Sequence, residues 1–517
     1  MALQLPHHLL VRIGIAALAG VLISCGGGGG SSGSTDTNTN TNTGSLSLSS
    51  SLGSTMTATY TCDGKGSSPD LSWSNTPANT TEFALLMSTV APDQTKYNWV
   101  LYNIPAATTR LSTDSFGIGL NGVGDDGAYA GYQAPCSSGA GNKIYTFTLY
   151  ALSSAPNVTT PVSGSALKTA LNTITLGSAS LSMTYNAPGA SGNGHSVACT
   201  YLQDSARSSQ FGTASVSCDG TYGYVSSNGL ATHTMMNGIT GTNLQVPVAQ
   251  NFLGANGWKI PLAPAIAAST TSVTDGPIGV AVNGVPIFNP CKQGGCITGG
   301  DTKLLGELDI CNGHAGRADD YHYHAAPTCL MAGQSATYWN THPIGWALDG
   351  FAIFGYNDPN GTTATRDNIC GGNTTANTNA PAGYAYHVTD TSPYIASCLR
   401  GTPSPDLAGQ AAKYTTLRRP PVDPLPTVSG LTLSTLNGYS VLQFTAGASF
   451  NTTPDNSTTY STVNPAGTYK ILYKAMTGSA LTTELAKSGN SGKTACWEFI
   501  FQNNAGNTSQ PAMNFCK

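Results

Sequence analysis

Tyr321-His322-Tyr323-His324 alternates two residue types with a period of two. In an extended strand, residues i and i+2 point to one face. The pattern therefore predicts a strand that aims His322 and His324 at one spot and packs Tyr321 and Tyr323 the other way. Two converging imidazoles need only one or two further ligands to make a metal site. The competing reading is a structural strand whose histidines hydrogen-bond to loop backbone. Other short alternating runs, such as Tyr145-Thr146-Phe147-Thr148-Leu149-Tyr150, and Gly- and Pro-rich turns extend the strand reading along the chain. They predict a mostly β protein.

Working outward, His314 lies eight residues upstream in Glu307-Leu308-Asp309-Ile310-Cys311-Asn312-Gly313-His314. Downstream, His342 and Asp349 fall within His342-Pro343-Ile344-Gly345-Trp346-Ala347-Leu348-Asp349-Gly350-Phe351. The motif also recurs: Tyr321-His322-Tyr323-His324 leads to Cys329-Leu330, and Tyr384-Ala385-Tyr386-His387 leads to Cys398-Leu399. That pairing predicts two similar strands of one sheet, each delivering a histidine. Five of the nine histidines lie between positions 314 and 387. The candidate metal ligands are His314, His322, His324, His342 and His387, and the expected ion is copper or zinc. Glu307, Asp309 and Asp349 are candidate general bases, Asp349 having a turn cap as its competing role. Asp319 and Asp320 read as a solvated loop.

The order Leu-Asp-x-Cys-Asn-Gly-His, Tyr-His-Tyr-His, His-Pro-Ile-Gly-x-x-x-Asp-Gly-Phe resembles the exported bacterial YHYH domain family over about residues 215–402. Ser226-Ser227-Asn228-Gly229-Leu230-Ala231-Thr232-His233 and Asp275-Gly276-Pro277-Ile278-Gly279-Val280 agree with it. The family often shows a second full Tyr-His-Tyr-His; Ala385 departs from that pattern and removes one candidate ligand. The resemblance implies architecture rather than a defined chemistry.

At the N-terminus, Arg12, the apolar run Ile13–Ile23 and Leu22-Ile23-Ser24-Cys25 read as a lipoprotein signal over residues 1–25. Cys25 is the expected lipid anchor, which places the protein on the membrane at the bacterial outer membrane or cell surface, facing the periplasm or the outside. Residues 26–44, with only Gly, Ser, Thr, Asn and one Asp, read as a flexible tether. Charged residues make up 9% of the chain and the net charge is −4, so nothing suggests a nucleic-acid partner. Of thirteen cysteines, setting Cys25 aside leaves twelve, an even number that reads as disulfides in an exported chain. Cys291 with Cys296, and Cys496 with Cys516, are close enough to close small loops. Thiolate metal sites are the alternative, which no Cys-x-x-Cys pair supports.

Residues 45–186 read as a first domain of strands with one helix near Ser165–Thr173. Cys62-Asp63-Gly64, Ser68-Pro69-Asp70-Leu71-Ser72-Trp73, Asn98-Trp99-Val100-Leu101-Tyr102-Asn103-Ile104-Pro105 and Gly131-Tyr132-Gln133-Ala134-Pro135-Cys136 resemble the phosphatidylethanolamine-binding, or Raf-kinase-inhibitor-like, family. The resemblance implies a β-sandwich with a small anion pocket, and brings Cys62 near Cys136. It also places neutral Ser88, Asn98 and Asn142 where the family has a carboxylate and two histidines. Phosphate-type ligands are therefore expected to bind poorly, and a scaffold or partner-binding role is expected for this domain.

Residues 187–214 read as a linker, 215–402 as the histidine-rich domain, and 403–517 as a Pro-rich spacer, Arg418–Pro426, with a small β region. No nucleophile elbow, phosphate-cradling loop or dinucleotide fingerprint occurs. Three functions stay open on the sequence: metal capture or sensing, metal-dependent hydrolysis or oxidation at the same cluster, and adhesion or scaffolding without metal.

Overall fold

The computed structural model describes residues 45–125, 131–206, 214–241, 244–274, 276–292, 299–316, 319–374, 383–408, 427–452, 462–503, 505–508 and 512–517. The signal segment with Cys25, the tether, Cys296 and the spacer Arg418–Pro426 lie outside the described residues. The described parts belong to one unit, Gly44–Lys517.

The first body runs through β1 (Ser47–Ser49), β2 (Leu71–Ser74), β3 (Glu82–Val90), β4 (Thr95–Pro105), β5 (Arg110–Leu111), β6 (Leu120–Asn121), β7 (Gly141–Leu152) and β8 (Thr175–Ala187). Two sheets result, β1-β2-β5 and β6-β4-β3-β7-β8. The alternation in β7 decides its packing. Tyr145, Phe147 and Leu149 enter the core between the sheets with Phe83, Leu85, Met87, Trp99 and Leu101. On the opposite face, Ala84, Leu86, Val100 and Tyr102 are covered by Leu167 and Leu171 of the helix Gly164–Leu171. That helix starts where Ser163 Oγ accepts from Ala166 N at 3.3 Å, a side-chain N-cap. Each fully buried phenylalanine contributes about 1.5–3 kcal/mol of transfer free energy.

The segment 187–214 is not a bare linker. It holds two short 3-10 turns and the helix Val197–Ala206, which buries Cys199, Leu202 and Ala206 and is tied by the Cys199–Cys218 disulfide. The polar composition hid an apolar i, i+3, i+7 stripe that marks a packed helix.

The next strands are β9 (Ser215–Cys218), β10 (Tyr222–Ser226), β11 (Trp258–Pro261), β12 (Ile266–Ser272), β13 (Pro277–Ala281), β14 (Pro286–Phe288), β15 (Gly313–Ala315), β16 (Tyr321–Tyr323), β17 (Gly345–Ala347), β18 (Ala352–Phe354), β19 (Gly372–Asn373), β20 (Ala385–His387) and β21 (Cys398–Gly401). Eight of them form one sheet in the order β15-β16-β14-β13-β17-β18-β20-β19.

That sheet consists of two like halves. In each, a hairpin (β13–β14; β17–β18) pairs antiparallel, its second strand pairs parallel with a Tyr-x-Tyr strand (β16; β20), and an edge strand (β15; β19) closes antiparallel. The halves meet where Val280 faces Trp346, flanked by Gly279–Ala347 and Ala281–Gly345. Side chains repeat as well. Tyr321 donates to Asp309 Oδ2 at 2.7 Å, and Tyr384 donates to Asp367 Oδ2 at 2.9 Å. Cys311–Cys329 closes the first half and Cys370–Cys398 the second.

The chain ends in β22 (Val428–Leu436), β23 (Tyr439–Ala446), β24 (Phe450–Thr452), β25 (Thr462–Asn464), β26 (Gly467–Ala475), β27 (Cys496–Asn503) and β28 (Met513–Cys516). Five form the sheet β22-β23-β26-β27-β28, with Cys496 bonded to Cys516. This region shares its core with the histidine-rich part: Leu431, Leu442, Phe444 and Phe499 pack in the cluster that holds Val280, Tyr321 and Tyr323. Leu433 N donates to Asn237 Oδ1 at 2.9 Å, and Tyr473 OH to Pro247 O at 3.0 Å. Among the described residues no helix is long and apolar enough to cross a membrane.

Candidate metal centre

The strand β16 presents its residues as the alternation dictates. Tyr321 and Tyr323 are fully buried on one face, and His322 and His324 are buried beside it at 3% and 2% exposure. The antiparallel register sets His314 of β15 opposite His322. The three rings meet at their Nε2 atoms: His322 to His324 is 3.0 Å and His324 to His314 is 3.1 Å.

Each ring is oriented from behind through Nδ1. His314 Nδ1 lies 3.0 Å from Glu307 O, and His322 Nδ1 lies 3.0 Å from Asp320 O and 3.1 Å from Asp320 Oδ2. His324 Nδ1 bonds Asn289 O. Carbonyl and carboxylate oxygens only accept, so Nδ1 carries the proton on each neutral ring and Nε2 carries a lone pair. Three lone pairs then face one point at hydrogen-bonding distance with no hydrogen between them. A cation at the centre removes that repulsion. Nitrogens about 2.0–2.1 Å from one ion stand roughly 2.9–3.4 Å apart, so the observed spacing suits a three-histidine ion site.

Burial is the first cause, and the neighbouring His322 the second, that lowers the proton affinity of His314, to a pKa of about 3. His324 is held well below 6.5 by burial, then by His322 and His314. Both rings thus stay in the neutral form that ligates a metal. Phe288, just ahead of the Asn289 carbonyl, stacks on His322 with ring centres 3.9 Å apart. Gly316 leaves room for the site: a Cβ there would stand 2.5 Å from His322 Cε1.

The other expected ligands are elsewhere. His342 is exposed, stacked on Tyr338 at 3.8 Å, with Nδ1 at 3.0 Å from Tyr338 O. Its position after the 3-10 turn Tyr338–Asn340 points it along that turn rather than into the sheet. His387 lies on β20, five strands along the sheet from β16, and is not in the group formed by His314, His322 and His324. Repetition of the motif created a second, separate place rather than a fourth ligand for the first.

Two candidate bases are also corrected. Asp309 accepts from Met236 N, Tyr321 OH, Cys311 N and Gly313 N at 2.7–2.9 Å. Asp349, wholly buried, accepts from Tyr386 OH at 2.7 Å, Gly401 N at 2.8 Å and Phe351 N at 3.3 Å. Both carboxylates organise backbone. Glu307 turns its carbonyl to His314, and burial raises the pKa of its side chain. Asp320, read as part of a solvated loop, is instead a buried partner of His322. Its spacing two residues before His322 was the available signal. Asn289 and Glu307 act through backbone carbonyls, which side-chain motifs do not display.

Among the described residues, two further groups combine a histidine with two cysteines, Cys62–Cys136 with His195 and Cys311–Cys329 with His233. Their sulfurs are in disulfides, so neither group offers thiolates. His233 Nε2 lies 2.6 Å from Tyr323 OH, on the tyrosine side of β16.

In the first body, Ser88 and Asn98 flank a register shift between β3 and β4. Asn98 is buried, and Asn142 is exposed on β7, four residues beyond Thr146, the partner of Ser88. Four strand residues span about 13 Å, so the three do not form one compact pocket.

Comparison with known proteins places both bodies. Residues 47–186 match the family described as phosphatidylethanolamine-binding protein, and residues 257–369 match the YHYH protein family. A UPF0098 protein of Aquifex aeolicus is 38% identical over 20% of this chain and 63% of its own length. One from Methanothermobacter thermautotrophicus is 37% identical over 18% of this chain and 65% of its own. The chain therefore spans just under two thirds of these two relatives; it spans 71% of a UPF0098 protein of Chlamydia trachomatis, at 31% identity over 20% of this chain. The crystal structure of a phosphatidylethanolamine-binding protein homologue from Chlamydia trachomatis aligns at 26% identity over 28% of this chain and 98% of its own, with a TM-score of 0.26. By the family matches and the 31% identity to the Chlamydia trachomatis UPF0098 protein, the chain belongs to the phosphatidylethanolamine-binding protein family through residues 47–186 and carries a YHYH protein domain in residues 257–369.

Proposed function

We propose that this is an exported surface lipoprotein whose YHYH domain binds a transition-metal ion, copper or zinc, through His314, His322 and His324. One observation carries the reading: three Nε2 atoms converge within 4.8 Å of one another while every Nδ1 is engaged from behind. Imidazole donors suit copper and zinc. Elemental analysis of the mature protein, purified without a histidine tag, tests it. His322→Ala/His324→Ala is expected to remove one equivalent of metal; a wild-type chain that takes up neither ion at micromolar concentration favours an adhesion or scaffold role without metal.

Metal-dependent hydrolysis or oxidation is the second reading. Three protein ligands leave coordination positions for water or substrate, and His314 is only half-buried. With Asp309 and Asp349 committed to backbone, Glu307 is the remaining candidate base. A hydrolase and oxidase screen of the metal-loaded chain separates turnover from capture.

The phosphatidylethanolamine-binding-protein-like body acts as a scaffold or a partner- or ligand-binding module, since Ser88, Asn98 and Asn142 offer hydrogen bonds without charge. Multiple disulfides suit an oxidising compartment. The chain is held to the bacterial outer membrane or cell surface by lipid on Cys25. Cys25→Ser is expected to move it from the membrane fraction into soluble form; a variant that stays membrane-bound after signal removal contradicts the anchor.

A further inference from the structure

The second half of the eight-stranded sheet rebuilds the backbone of the metal centre around different side chains. Gly372–Tyr386 and Asn373–Ala385 repeat the pairs Gly313–Tyr323 and His314–His322. The pairs at the ends of the segment after β14, where Cys291 bridges Asp301 and Lys292 N donates to Gly300 O at 2.9 Å, recur after β18. There Asn357 bridges Thr363 and Asp358 N donates to Thr362 O at 2.8 Å. The carbonyl behind His324 is Asn289 O, and the carbonyl behind His387 is Gly355 O at 3.0 Å. Position by position, His314, His322, His324 and Lys292 become Asn373, Ala385, His387 and Asp358.

Two of these changes act together. One imidazole is replaced by a methyl group, and a cationic side chain is replaced by a carboxylate. Asp358 Oδ1 lies 3.7 Å from His387 Nε2, and the two residues are 6% and 2% exposed. Gly355 O fixes the His387 proton on Nδ1, so Nε2 offers a lone pair to an oxygen that also only accepts. At 3.7 Å the two do not hydrogen-bond. Asn373 Nδ2 donates to the same Oδ1 at 2.9 Å and holds the carboxylate in place. Two acceptors at that separation can each lie about 2.0–2.2 Å from a shared ion, at an angle of roughly 120°.

We propose that His387 and Asp358 hold a second divalent cation, distinct from the three-histidine centre, with water completing its coordination beside Ala385. One imidazole and one carboxylate make a borderline donor set that suits zinc. Burial and, as the opposing cation, Arg366 lower the proton affinity of His387. Arg366 is fixed by its bonds to Gly371 O and Ile395 O, both 2.7 Å, and its charge makes this site weaker than the first.

Equilibrium dialysis of the full chain against zinc chloride at pH 7, followed by elemental analysis, tests the assignment. Two equivalents are expected for the wild type, one for His322→Ala/His324→Ala, one for Asp358→Asn, and none for the three changes combined. His387→Gln serves as a second variant, with circular dichroism and melting checked for each. The proposal is overturned if the double-histidine variant binds no zinc, or if folded Asp358→Asn and His387→Gln bind as much as the wild type. A wild type with one equivalent, lost in Asp358→Asn and kept in His322→Ala/His324→Ala, refutes the three-histidine reading and leaves this one standing.

Discussion

Asp320 Oδ2 lies 3.1 Å from His322 Nδ1, on the side of the ring opposite the converging Nε2 atoms. A carboxylate in that place fixes the tautomer and makes the ring a stronger donor. Asp320→Asn keeps the backbone carbonyl that also meets Nδ1 but removes the charge. Metal affinity is expected to fall about 10–100-fold with the fold retained. Competition against a chromophoric chelator measures it, and unchanged affinity would remove Asp320 from the centre.

The pH response follows from burial. An unfolded histidine titrates near 6.5, whereas folded His324 stays neutral well below that and His314 to about pH 3. Between these limits the unfolded chain binds protons that the folded metal-free chain does not. Stability is therefore full above pH 6.5 and falls on acidification, by about 1.4 kcal/mol per pH unit for His324. Simple competition by unperturbed histidines would instead release metal with a midpoint near 6.5. The lowered proton affinities of His314 and His324 predict retention at pH 5.5, and dialysis at a series of pH values distinguishes the two.

Gly316 is the steric counterpart of Asp320. Its missing side chain is what lets His322 Cε1 approach, since a Cβ would come within 2.5 Å of that atom and 3.0 Å of Asp320 Oδ1. Gly316→Ala is expected to rotate His322 out of the group, lowering metal occupancy at a stability cost of about 1–3 kcal/mol. Occupancy equal to wild type would show that the ring has slack the structure does not display.

Alternation made the histidine face legible: a period of two in Tyr321–His324 placed two imidazoles together, and the repeated Tyr-x-Tyr-His placed its second copy in the same sheet. The choice of third ligand was not legible. His314, His342 and His387 carry equally suggestive neighbours, and only the register of β15 against β16 selects the first. The roles of Asp309 and Asp349 were hidden for a related reason. A carboxylate beside a histidine motif reads as chemistry, while its backbone donors leave no trace in side-chain identity. In the first body, local motifs reported the fold faithfully, because its strands are long and alternate cleanly.

For that first body, the neutral Ser88, Asn98 and Asn142 predict weak anion binding. Titration with phosphoethanolamine is expected to show no saturation at micromolar concentrations. Micromolar affinity would mean that backbone donors alone build a pocket there.

Asp309 provides the sharpest separation of structural from chemical roles. Its Oδ1 accepts from Cys311 N and Gly313 N, both at 2.9 Å, and its Oδ2 from Met236 N and Tyr321 OH, both at 2.7 Å. The carboxylate thus ties the turn before β15 to β16 and to the 236 segment that the C-terminal sheet covers. Asp309→Asn exchanges one accepting oxygen for a donating NH2, leaving at least one buried N–H without an acceptor, a cost of about 1–3 kcal/mol. Melting and urea midpoints should therefore fall, while metal stoichiometry, measured below the transition, stays at the wild-type value because no Nε2 partner has changed. A variant with wild-type stability and lost metal or lost turnover would return Asp309 to the chemistry. A destabilised variant with full metal places it in the scaffold that sets His314 opposite His322.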